Sequence, residues 1–345
     1  MAGGLLEYSG LVTKSRAMRG RLLSNRIFAE LAECEKVDDI LGFLREYESY
    51  APIYRSHEEI AHRAQVEAAI HDSLYADYGK LYRFAGRIQR QGLALVFLRY
   101  EMNVLKTCME RIGRGQETNL AHLHLFFGAH AGFDVEAVTQ ARNMEEFLRA
   151  LLGSRYEKLF ERLLRDETMS QTARIVQMDL FYYETVWKCK NQLKDAAMRT
   201  ICTQLFGTEI DWQNIMWLYR AKRFYHQKGE EILCDLIPVS YRLGMKEKRA
   251  LAESETMEAF AQILENTAYF KGKDALAAIG DEVTFPQIME KTYGRLCQKY
   301  PMSLAPVFKY LYDKEQEIDK LTTILEGVRY QIPARELQEL VLFGS

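Results

Sequence analysis

A short pattern of the form apolar, acidic, variable, apolar occurs three times along this 345-residue chain. The copies are Val37-Asp38-Asp39-Ile40-Leu41, Met144-Glu145-Glu146-Phe147-Leu148 and Met257-Glu258-Ala259-Phe260-Ala261, each followed by a tyrosine, Tyr50, Tyr156 and Tyr269. Each copy leads to a longer amphipathic stretch, through Glu101-Met102-Asn103-Val104-Leu105, Asp211-Trp212-Gln213-Asn214-Ile215 and Glu317-Ile318-Asp319-Lys320-Leu321. The copies lie roughly 110 residues apart, the signature of an internal repeat, which constrains the chain to three similar bodies of approximate threefold design.

Helix-breaking residues at Gly113-Arg114-Gly115 and from Pro238 to Gly244 set the expected boundaries at 1–115, 116–240 and 241–345. With only 6 prolines, the intervening tracts carry apolar residues every three or four positions and show no strand-like alternation. The expected class is all-α. Leu5, Leu11, Val12, Ala17, Met18, Leu22 and Leu23, interrupted by Lys14, Arg16, Arg19 and Arg21, predict an opening amphipathic helix with Ser9 or Ser24 at an end. Gln171 to Leu193 and Phe308 to Tyr330 predict long helices, the latter with Glu317 beside Lys320.

A 48% hydrophobic content supplies a sizeable core, and 27% charged residues supply a solvated exterior. The net charge of −2 gives no general excess of cations for nucleic acid or an anionic membrane. The start does not resemble a secretory signal with its basic and apolar regions, so the chain is expected to stay in the cytoplasm. The longest apolar run, Leu93 to Leu98, has about a third of the residues needed to span a bilayer, so membrane association is expected only through protein partners. Cys34, Cys108, Cys189, Cys202, Cys234 and Cys297 form no Cys-x-x-Cys pair and are expected to be reduced, mostly buried thiols.

Phosphate-loop, dinucleotide and nucleophile-elbow motifs are absent, and no catalytic residue or cofactor is expected. His57 and His62 stand five apart, off one helical face, and neither they nor His122, His124 and His130 complete a metal pattern, so no metal is expected. The pairs Glu58-Glu59, Glu145-Glu146 and Glu230-Glu231 suit solvated faces or first helical turns better than acid–base chemistry. Gly113-Arg114-Gly115 reads as a helix stop. The 20 tyrosines, clustered as Tyr75-Tyr78-Tyr82, Phe181-Tyr182-Tyr183 and Tyr310-Tyr312, suit helix seams and interfaces.

The segment Glu209-Ile210-Asp211-Trp212-Gln213-Asn214-Ile215-Met216-Trp217-Leu218-Tyr219-Arg220-Ala221-Lys222-Arg223-Phe224-Tyr225, with Leu236-Ile237-Pro238 after it, closely resembles the central part of the C subunit of bacterial and archaeal V/A-type rotary ATPases, the counterpart of the eukaryotic d subunit. The stretch from Tyr310 to Tyr330 with Ile332-Pro333, and the opening Tyr8 to Met18, resemble other parts of that family in the same order. The first copy departs from the family ending at Asn103 to Arg111.

The resemblance implies a funnel of three helical bundles around a pseudo-threefold axis. It implies a peripheral, non-catalytic adaptor on the cytoplasmic face of the membrane, joining a shaft made by the D and F subunits to a ring of proton- or sodium-carrying subunits. A reversible polar socket for the shaft would draw on Glu101, Arg111, Asp211, Arg220, Arg223, Glu317, Glu326 and Arg329. The same charges could instead form salt bridges that define the fold, and a repeat body without catalytic motifs also suits an α-helical scaffold for other proteins.

Overall fold

The computed structural model describes residues 2–52, 63–116, 127–166, 168–225, 227, 229–281 and 283–342. His57, Glu58, Glu59, His62, His122 and His124, and the side chain of Leu5, lie outside the described residues. The chain is 75% helical, and no strand occurs among the described residues.

One arrangement, short helices followed by two long ones, recurs three times. The first set is α2 (Asn25–Ala32) and α3 (Val37–Glu46), then α4 (Arg63–Phe84) and α5 (Arg87–Gly113). The second is α6 (Val135–Gln140), α7 (Met144–Ala150) and α8 (Glu157–Arg165), then α9 (Gln171–Asn191) and α10 (Ala196–Arg220). After a single π turn at Ala221–Tyr225 and α11 (Gly229–Asp235) come α12 (Met245–Glu253), α13 (Met257–Glu265) and α14 (Ala275–Gly280), then α15 (Thr284–Lys299) and α16 (Ala305–Arg329). α1 (Ala2–Arg19) precedes the array and α17 (Ala334–Leu342) follows it.

The apolar-acidic signature forms α3, α7 and α13, and its acids fall in the first turn, where they complement the helix dipole. The Asn143 side chain accepts from Glu146 N, and the Glu146 carboxylate accepts from Arg142 N, a reciprocal cap that fixes the start of α7. Thr256 caps α13 through its own side-chain oxygen. Ser24 caps α2 and Ser9 lies within α1. Ala17 is exposed and the neighbouring Ser15 is buried, its hydroxyl donating to Val12 O, so the buried stripe of α1 is narrower than the apolar pattern suggests.

Residues are gathered into two compact units, one of residues 1–89 with 282–345 and one of residues 90–281. The expected boundaries at 115 and 240 both fall inside the second. In the first unit α16 is the central rod, packed by α1, α2, α3, α4, α15 and α17. Most of this helix is buried, and a buried charge needs a partner. Lys314 and Glu317, both buried, bond each other at 2.6 Å. Lys309 bonds Glu290 at 2.7 Å, and Asp313 receives Arg19 at 2.7 Å. At Gly327 a Cβ would come within 2.5 Å of Leu337 Cδ1, so only glycine lets α17 lie this close.

In the second unit α10 is buried without interruption from Leu205 to Trp212. Arg99 of α5 clasps Glu209 with both carboxylate contacts at 2.7 Å, and Lys106 bonds Asp179 of α9 at 2.5 Å. At Gly207 a Cβ would meet the Tyr241 ring at 2.5 Å, so the loop before α12 also needs a glycine beneath it. Cys108 and Cys202 are buried, Cys34, Cys189 and Cys297 half-buried and Cys234 exposed, all as free thiols. Among the described residues no helix is long and apolar enough to cross a membrane.

Candidate functional site

The two repeated signatures meet through one bond, made three times. In the second unit Tyr156 Oη donates to Glu101 at 2.7 Å and Tyr269 Oη donates to Asp211 at 2.7 Å. In the first unit Tyr50 Oη donates to Glu317 at 2.7 Å. Each acid stands on a long helix, and each tyrosine belongs to the short-helix segment packed against it. The pairs thus link the end of one sequence copy to the body of the next, and the last acid is paired with the first tyrosine.

A second contact repeats as well. Each carboxylate accepts backbone N–H groups just ahead of the first short helix: Glu101 from Gly132, Glu317 from Leu23 at 2.5 Å, and Asp211 from Arg242 at 2.7 Å and Leu243 at 3.0 Å. The carboxylate therefore fixes its segment at two points, the loop that enters it and the tyrosine further along. A buried carboxylate needs such donors, because desolvation alone is costly. Burial pushes the Glu101 carboxyl up, opposed by the Tyr156 hydroxyl, the Gly132 N–H and the Arg155 charge. Burial likewise raises Asp211 against the donors of Arg242, Tyr269, Leu243 and Tyr241. Burial first and the facing carboxylate second raise Tyr156 and Tyr269, which keeps the phenols as donors.

The cation beside each acid differs. Lys314 Nζ bonds Glu317 and also donates to Tyr50 Oη at 2.8 Å. Near Asp211 the buried Lys248 donates instead to the carbonyls of Ile237, at 3.2 Å, and Val239. Burial lowers this lysine to about 8 against the pull of Asp211. Asn214 grips the same loop at both backbone atoms of Ile237, at 2.8 and 3.2 Å.

Glu101, Asp211 and Glu317, expected to line a polar socket, are thus interior groups engaged within the chain. Glu317 pairs with Lys314, one turn before it, and not with Lys320, one turn after it, as read from the sequence; Lys320 lies 5.3 Å over the Phe28 ring. The other candidates sit at the far ends of the same long helices. Arg111 lies in the last turn of α5 and is half-buried, as is Glu326 in the last turn of α16. Arg220 and Arg329 are the exposed last residues of α10 and α16, and Arg223 is exposed in the π turn. Cations at helix C-termini also complement the helix dipole.

The exposed Arg220, Arg223 and Arg329 present guanidinium donors at the surface. Among the described residues no group of three His, Cys, Asp or Glu side chains is placed to hold a metal ion.

The family model described as ATP synthase (C/AC39) subunit matches residues 11–340. The chain belongs to the ATP synthase (C/AC39) subunit family. It is 24% identical to the C subunit of the A-type ATP synthase of Methanosphaera stadtmanae, over 95% of this chain and 86% of that one. The corresponding proteins of Archaeoglobus fulgidus and Pyrococcus horikoshii are 23% and 27% identical, each over 97% of this chain and over 96% and 90% of their own lengths.

For this ATP synthase (C/AC39) family member, sequence reasoning singled out both partners of each acid–tyrosine bond without joining them. It missed Lys248, Asn214 and Lys314. A partial signal was present: Asp211 is flanked on both sides by large apolar residues, Ile210 and Trp212, with Ile215 one turn on.

Proposed function

We propose that this chain is the non-catalytic central-stalk adaptor of a V/A-type rotary ATPase, coupling a shaft made by the D and F subunits to the membrane ring that moves protons or sodium ions. The match over nearly the whole chain to proteins named as the C subunit of A-type ATP synthases carries this reading. In it the protein lies at the cytoplasmic face of the membrane and is held there by its partners.

Torque passes through an adaptor only if its parts do not yield, and interior carboxylates that clamp short helices to long ones supply that stiffness. The shaft would meet charges at the helix ends: Arg111, Arg220, Arg223 and Arg329, with Glu326 near the last. Charge-guided docking gives orientation and speed with modest affinity, which suits a joint that must assemble correctly.

Size-exclusion chromatography with light scattering, on this chain mixed with purified D and F, tests the reading. A one-to-one-to-one complex that weakens at high salt is expected. Separate elution of the chain, both with D and F alone and after the ring is added, would contradict it.

A further inference from the structure

The three signature helices do not end alike. α5 ends on Gly115, with φ of 65°, and Gln116 N donates back to Arg111 O at 2.9 Å. α16 ends on Gln331, with φ of 57°, and Ile332 N donates back to Gly327 O at 2.9 Å. Both are left-handed stops that turn the chain sharply away. α10 instead widens into the π turn Ala221–Tyr225, a form that occurs mostly as single turns and often at functional sites.

The fold holds this turn from below. Ala221 is buried, Lys222 Nζ donates to Ala252 O at 3.2 Å, and Tyr219 lies edge-on to Phe224 at 6.2 Å. Above it Phe224 and Tyr225 remain 63% and 69% exposed. Arg220 and Arg223 are exposed beside them, and neither makes an ion pair among the described residues. Residues 219–225 contain no acid. Arginine and aromatic rings at one spot are the composition of a protein–protein hot spot.

We infer that the π turn at the end of α10 is the anchor point for the partner, taking an acidic segment that carries an apolar side chain. The inference rests on the adaptor reading, which makes the shaft the owner of that segment. The carboxylates meet Arg220 and Arg223, and the apolar group covers Phe224 and Tyr225. An anionic lipid surface is the weaker match, because juxtamembrane binding draws on clusters of about four to eight basic residues and here Lys222 is already occupied.

Calorimetric titration of the purified D–F pair into the full chain tests this, with Phe224→Ala/Tyr225→Ala and Arg220→Glu/Arg223→Glu as variants. Each double variant is expected to weaken binding at least tenfold, with unchanged melting, and the arginine reversal is expected to flatten the salt dependence. Should a double variant melt early, Tyr225→Ala alone serves, with a loss of about threefold or more expected for a peripheral anchor. Variants that bind within twofold of the wild type would overturn the inference and leave the adaptor reading standing. A wild type that fails to bind the D–F pair would overturn both. Flotation of the wild type with phosphatidylserine vesicles, lost in the variants while D–F binding persists, would assign the turn to lipid and overturn the inference.

Discussion

Glu317 holds Tyr50 and a buried lysine within one site, whereas Asp211, shorter by a methylene, holds Tyr269 and draws its remaining donors from the backbone of the loop before α12. The two sites share a tyrosine hydroxyl and the N–H groups ahead of a short helix. They differ in where the cation goes: Lys314 lies on its carboxylate, and Lys248 lies on the carbonyls of Ile237 and Val239. The repeated element is therefore the two-point clamp on the short-helix segment, and the cation is adapted to each copy.

Neutralising the two acids should separate these designs. Glu317→Gln leaves the Lys314 ammonium buried against a neutral amide, and the expected loss is about 3–5 kcal/mol in urea unfolding. Asp211→Asn faces neutral backbone donors and one phenol, and should cost about 1–3 kcal/mol. Equal losses would mean that the lysine plays no part in the Glu317 site.

The lysine at the other site predicts a pH effect. In the unfolded chain Lys248 keeps its proton up to about 10.5, and in the folded chain only to about 8. Between those values the unfolded state binds more protons, so stability rises with pH; this contribution is complete above 10.5 and is lost as pH falls through 8. The urea midpoint of the wild type should rise relative to that of Lys248→Met from about pH 8 to about pH 10, and parallel curves would place the ammonium in a wetter site. At the helix ends a smaller effect is expected. Gln331→Gly relieves a left-handed side chain where α5 already uses Gly115, and should stabilise by about 0.5–1 kcal/mol in the same urea assay.

Much of this fold was legible. Apolar spacing and scarce prolines predicted helices that appear as α9 and α16, and Gly113-Arg114-Gly115 is the helix stop it was read to be. The repeat exposed the acids and the tyrosines separately. Their pairing was hidden because each bond joins residues far apart in sequence, such as Tyr50 and Glu317, and because an acid at helical spacing looks solvated until a second helix covers it. The π turn was equally hidden, since Arg220 to Tyr225 carries no glycine or proline to announce a change of helical pitch.

The central distinction is between interior residues that hold the repeats together and the exposed Arg220 and Arg223, which make no ion pair among the described residues. Thermal melting of Tyr50→Phe/Tyr156→Phe/Tyr269→Phe beside Arg220→Glu/Arg223→Glu tests it most directly. Each lost phenol bond is worth about 0.5–1.5 kcal/mol and the sites are separate, so their effects should add and the tyrosine variant should melt clearly below the wild type. The arginine variant should melt with the wild type. The reverse result, an unchanged tyrosine variant and an early-melting arginine variant, would contradict the assignment of both groups.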